Sequence, residues 1–307
     1  MPWLSSGPLH TLHAGAHTLT VAPAAGGRMA TFSTAHAGGH VIDWLAPMPW
    51  QALEQGFDGR QWPKAGSYPL LPFSNRIREG RFRWDGRDID LPAHPGQAHA
   101  MHGFGHARPW TVVEQGSDRI VMALVHVPAG GDWPWAVSAR QTLRLTEDGL
   151  DAELTIRNDG ETAMPAGGGF HPFFARLPGM RLQFDAMHMW PADAGGVATG
   201  RTVVGDRERF LRERHLPDAG LSVYYSGWKR AATLKRPDGA ALTLLAGDGL
   251  DHLVLHAPGG CDFVCVEPVS HVADAVNLSA RGWEGTGLRR LAPGDTAAWR
   301  MQWQVAL

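Results

Sequence analysis

Apolar and polar residues alternate with a period of two through much of the chain. In HTLTVAP, Leu19 and Val21 fall on one side. GRFRWDGRDIDL puts Phe82 and Trp84 on one face and then meets Asp85-Gly86, the dipeptide of a two-residue hairpin. GLDAELTIRN repeats at Leu150, Ala152, Leu154 and Ile156, and TAAWRMQWQVAL at Trp299, Met301, Trp303 and Val305. AATLKRPDGAALTLLA reads as two strands around the turn Pro237-Asp238-Gly239. Such a period marks half-buried antiparallel strands, because successive side chains leave opposite faces. Helical periodicity is scarce, and the short stretch ADAVNLSA is its plausible example. The expected fold is all-β, a single large antiparallel β-sandwich with residues 1–307 as one domain.

Composition fits that expectation. The 38 glycines and 22 prolines are spread along the chain, as many short strands joined by turns require. With 307 residues, 44% of them hydrophobic and 19% charged, the chain is long enough to bury a large core. A net charge of −2 calls for neither nucleic acid nor an anionic membrane as partner. No unbroken apolar run approaches the roughly 18 residues of a membrane span. MPWLSSGPLH lacks a basic region followed by an apolar one, so no signal peptide is expected and the expected compartment is the cytoplasm. Oligomeric state is not legible. Cys261 and Cys265, taken as one strand, stand about 13 Å apart at ~3.3 Å per residue. That exceeds the roughly 7 Å that a disulfide tolerates, so both should be reduced, and two lone thiols make a poor zinc site. Tryptophan (13) outnumbers tyrosine (3), which supplies faces for sugar rings as well as core.

Four stretches carry candidate chemistry. In LLPFSNRIREGRF, Asn75 and Arg76 break an apolar approach; a guanidinium beside an amide grips hydroxyls, although Arg76 also reads as a surface cation. AHPGQAHAMHGFGHARPW holds His94, His99, His102 and His106, a possible metal set but without a metal motif's spacing. In GGGFHPFFA, His171 stands among aromatic rings, either as a packed imidazole or as a general acid in an apolar wall. FVCVEPVSHVADAVN ends an apolar strand on Glu267, an edge carboxylate in solvent or a candidate base, with His271, Asp274 and Asn277 following.

Taken in order, LTVAPAAGGRMATF, PFSNRIREGRF, MHGFGHARPW, GGGFHPFFA, VCVEPVSHVADAVN and TGLRRLAPGDTAAWRMQWQV resemble the aldose 1-epimerase (galactose mutarotase) family over nearly the full length. The resemblance implies the family's large antiparallel β-sandwich with an open sugar cleft. It implies interconversion of the α and β anomers of a free aldose, without metal, nucleotide or redox cofactor. It implies Glu267 as base and His171 as acid, with Arg76 and Asn75 on sugar hydroxyls or the ring oxygen and His102 assisting. Arg76 is expected to keep Glu267 ionised until sugar binds. The family's sugar-binding Asp is missing near GLSVYYSGW, where Ser222 stands, or Asp251 substitutes. Two alternatives share the fold. One is a sugar-phosphate mutarotase using a cluster such as Arg78, Arg81 and Arg83; the other is a non-catalytic sugar-binding module.

Overall fold

The computed structural model describes residues 3–307, and half-buried alternation becomes antiparallel strand as the pattern requires. Eighteen strands join in one hydrogen-bonded network. Two short α-helices occur among the described residues, α1 at Trp50–Gln55 and α2 at Ala275–Ala280. The second coincides with ADAVNLSA; the first was not legible in the pattern.

The turns form where their residues allow. Trp84 pairs with Arg87, leaving Asp85 (φ 47°) and Gly86 (φ 79°) as the two loop residues. Both are left-handed, which a type I′ turn demands. Lys235 pairs with Ala241 around Pro237-Asp238-Gly239, and the Asp238 carboxylate accepts the Ala240 N–H at 3.1 Å. The closing strand, Thr296–Ala306, lies between Gly149–Asn158 and Ala241–Ala246 and buries Trp299, Met301 and Trp303.

Six strands carry the cavity: β1 (Ser67–Leu70), β2 (Gly169–Ala175), β3 (Arg181–Trp190), β4 (Leu221–Lys235), β5 (His252–Ala257) and β6 (Phe263–Val269). Their order across the sheet is β1-β2-β6-β5-β4-β3. The first half of β4 pairs with β5 and its second half with Ala241–Ala246, so one strand serves both layers of the sandwich. Gly227 (φ 62°) and Arg230 (φ 57°) lie between the halves, where the chain changes course.

Every residue of β6 is buried. A strand covered on both faces reads as continuous apolar sequence, which explains FVCV before Glu267. Val264 and Val266 enter the core between the layers with Phe170, Phe174 and Leu255. Cys265 faces a second apolar cluster with Tyr68, Phe173, Val254, Tyr224 and Trp190. β6 begins at Phe263, so Cys261 lies outside it rather than on a shared strand face; both thiols are free. No helix among the described residues is long and apolar enough to cross a membrane.

Candidate active site

Strand register assembles the site. Tyr68 on β1 pairs with His171 on β2. Gly169↔Val269 and Phe173↔Cys265 set His171 opposite Glu267 on β6. Glu267 pairs with Val254 on β5, Val254 with Tyr224 on β4, and Tyr224 with Trp190 on β3. One row across six strands thus carries Tyr68, His171, Glu267, Val254, Tyr224 and Trp190 on the same face. The next row runs Phe173, Cys265, His256, Ser222. Above these rows opens a cavity of about 760 Å³ lined by Glu267, His171, His102, Asn75 and Arg76. All five residues carried over from the resemblance therefore meet in one hollow.

His171 Nε2 lies 3.4 Å from Glu267 Oε1. The two are in direct contact. That suits the chemistry the resemblance implies: the anomeric and ring oxygens of a hemiacetal share one carbon, so groups serving both must be neighbours. His171 packs against both Tyr68 and Phe173, each 4.6 Å away centroid to centroid, and His102 stands perpendicular to it at 5.1 Å. The aromatic wall fixes the imidazole plane. The three glycines before it serve packing: a Cβ on Gly167 would strike the His271 ring, one on Gly168 the Trp299 ring, and one on Gly169 the Pro268 carbonyl.

Burial dominates the electrostatics. It pushes the Glu267 carboxyl up to about 8, and Arg76 draws it back by less. The expectation that Arg76 keeps this carboxylate ionised is thus corrected: 3% exposure outweighs the guanidinium. Burial, with Lys64 and His256 adding to it, holds His171 well below the usual imidazole range. Both partners favour their uncharged forms, so around neutrality the pair holds one proton and titrates as a unit.

Asn75 (φ 56°) and His102 (φ 59°) are both left-handed, a costly backbone for non-glycine residues that a surrounding structure must enforce. Here each holds the other. The Asn75 N–H donates to His102 Nδ1 at 3.1 Å, and the His102 N–H to the Asn75 carbonyl at 2.8 Å. Arg76 donates to Asn75 Oδ1 and to Gln97 Oε1, both at 3.3 Å. His271 and Asp274 stand behind this loop rather than beside Glu267. His271 Nε2 accepts the Ser74 N–H at 3.0 Å, the Asp274 N–H donates to the Arg76 carbonyl at 2.7 Å, and Asp274 Oδ1 accepts the Arg78 N–H at 2.9 Å. Asn277 completes the clamp by donating to Asp274 Oδ1 at 2.7 Å.

Other expectations resolve differently. Ser222 lines the cavity and bonds His256 at 2.7 Å, whereas Asp251 is half-exposed and pairs with Arg230, so it does not replace the missing acid. Asp193 is the further carboxylate in the wall, held by Arg78 at 2.7 Å. Arg81 and Arg83 form exposed pairs with Asp90 and Asp88, away from the lining, so no Arg78-Arg81-Arg83 cluster exists over the cavity. The histidine-rich loop gathers around Trp62 rather than around a shared metal position: His94, His102 and His106 pack edge-on against that ring, and His99, in the cavity lining, accepts the Glu79 N–H at 3.0 Å. Among the described residues, His171, Cys265 and Glu267 bring metal-capable atoms within 4.8 Å of one another. The positive charges of Lys64, felt at Cys265, and of Arg76, felt at Glu267, oppose a cation there.

Sequence reasoning missed Trp62, Lys64 and Tyr224. The Tyr224 hydroxyl donates to the Gly196 carbonyl at 2.7 Å and lies 3.2 Å from Asn75 Oδ1, bringing the far wall against the loop. Its signal was the alternation of LSVYYS, which places it on the same face as Ser222.

A sequence profile of the family described as Aldose 1-epimerase matches residues 23–304. The uncharacterized protein YphB of Escherichia coli K12 is 29% identical over 251 residues, 78% of this chain and 84% of its own. A crystal structure of an Escherichia coli K12 protein provisionally named an aldose 1-epimerase matches with TM-score 0.84 and 25% identity, over 97% of this chain and 99% of that one. Galactose 1-epimerase from Lactobacillus acidophilus NCFM shares the fold at TM-score 0.77 and 17% identity, over 96% and 93% of the two chains.

Proposed function

The chain belongs to the aldose 1-epimerase family, and from that premise we propose that Glu267 and His171 together open and reclose the ring of a free aldose, exchanging its α and β anomers. The observation that carries this reading is their contact at 3.4 Å in the wall of a sugar-sized hollow. In the reactive form the shared proton sits on His171. Glu267 takes the proton of the anomeric hydroxyl as the bond between the anomeric carbon and ring oxygen breaks. His171 gives its proton to that ring oxygen. The pair is then uncharged on both sides, the state that burial favours, and the sugar is an open aldehyde. Rotation about the bond next to the carbonyl presents its other face. Reclosure runs the transfers backwards and yields the other anomer.

Each positioned proton-transfer group is worth about 10²–10⁴ in rate. Asn75, Arg76 and Tyr224 offer polar atoms for hydroxyls, and His102 borders the reacting centre, perpendicular to His171 in the same lining. A cytoplasmic setting agrees with two unpaired thiols. The test is polarimetry on freshly dissolved α-anomers across a panel of aldoses. Acceleration over buffer supports the reading, and rates equal to buffer for every sugar overturn it.

A further inference from the structure

The charges facing the cavity do not balance. Lys64 lies in its lining, with Nζ 4.3 Å from the Trp62 ring and no ion pair among the described residues. Arg76 bonds two neutral amides. Asp193 does not offset them, because Arg78 and the N–H groups of Gly195 and Val197 hold its carboxylate at 2.7–3.1 Å. Glu267 is largely protonated at neutral pH, as derived above. The cavity lining therefore presents two cations and little negative charge.

Resting on the anomer-exchange reading, we infer that the preferred substrate is an aldose bearing a carboxylate next to its ring oxygen, a hexuronate, with Lys64 as the residue that reads that charge. The geometry points to this position. His171 serves the ring oxygen, and the substituent on the carbon beside that oxygen falls on the His171 side. Lys64 shares the cavity lining with His171, and its charge adds to burial in lowering the imidazole. With Arg76 engaged by Asn75 and Gln97, one ammonium is left to match one negative charge; a phosphate dianion draws several donors, and Arg81 and Arg83 are turned away. The carboxylate also has a mechanistic effect. Neutralising Lys64 lifts its repulsion of the imidazolium, so His171 takes the pair's proton more readily. Charge recognition and formation of the reactive pair are then one event.

The experiment measures anomer exchange by polarimetry for galactose, galacturonate and galactose 6-phosphate, in the wild type, Lys64→Gln and Lys64→Arg. The expected wild-type kcat/KM is at least tenfold higher for galacturonate than for galactose, with part of the gain in kcat. Lys64→Gln should cut that ratio at least tenfold, and Lys64→Arg should restore most of it. A ratio near one, a higher kcat/KM for the phosphate, or a ratio indifferent to Lys64→Gln overturns the inference while exchange of galactose still stands. Absence of exchange for all three sugars overturns both this and the function it rests on.

Discussion

Two faces of the same strands live in different worlds. On β6, Val264 and Val266 enter the core between the layers, while Glu267 stands on the cavity side with Cys265 beneath it. On β2, Phe170 and Phe174 point to the core and His171 and Phe173 to the cavity wall. The backbone is common, so each residue of one face is held by packing on the other. On the proposed roles, positional precision would come from the core face and proton chemistry from the cavity face. The lesson is that burial acts oppositely on the two: it stabilises Val266 and penalises ionised Glu267.

That contrast can be broken by substitution. Glu267→Gln should keep the fold and lower kcat by about 10²–10⁴, and His171→Asn similarly; wild-type rates of anomer equilibration in Glu267→Gln would end the base assignment. Leu255→Ala, on the core face of β5, should cost about 2–5 kcal/mol by denaturant unfolding while the folded fraction keeps its kcat. A large kcat loss at full stability there would dissolve the distinction between faces. His102→Asn should be milder than either member of the pair, about tenfold, since it borders rather than forms the proton path; losses equal to those of His171→Asn would promote it to a partner. Arg290→Ala, which removes an exposed pair with Asp85, should leave the melting temperature essentially unchanged.

The pH response sharpens the same contrast. The pair loses its proton as pH rises through about 8, so kcat/KM should fall on that limb and hold across neutrality. Stability follows the direction of each shift. Glu267 is raised from 4.5, so its contribution is fully present below that value and lost as pH rises through about 8. Glu267→Gln should therefore gain melting temperature relative to wild type as pH rises across this window; a constant difference would place the carboxyl in water. His102, His106, His171 and His271 are lowered by burial, so their contributions are present above 6.5 and lost as pH falls below it.

Most of the sandwich was legible because half-buried strands write their faces into the sequence at every second residue. β6 was harder, being buried on both faces, and only its central place in the sheet explains a carboxylate at its end. The pair Glu267–His171 came from the resemblance, since one imidazole among aromatic rings has two readings until its neighbour is known. Lys64 and Trp62 were invisible because they lie outside the regular strands, before β1, where no period marks a face. Asp251 was the wrong substitute for a related reason: proximity in sequence to β5 said nothing of its turn toward Arg230.

Asp274, wholly buried, grips the loop that bears Asn75 and Arg76 through the Arg76 carbonyl and the Arg78 N–H, seven residues after Glu267. The loop proposed to hold sugar is therefore strapped to the tail of the strand that carries the proposed base. In amide exchange, residues 74–78 and 267–275 should open together as one cooperative unit, slower than the exposed hairpin around Asp85. On the proposed roles, loosening the loop that bears Asn75 and Arg76 would also disturb the segment that follows Glu267, so substrate release and loss of the base would be coupled.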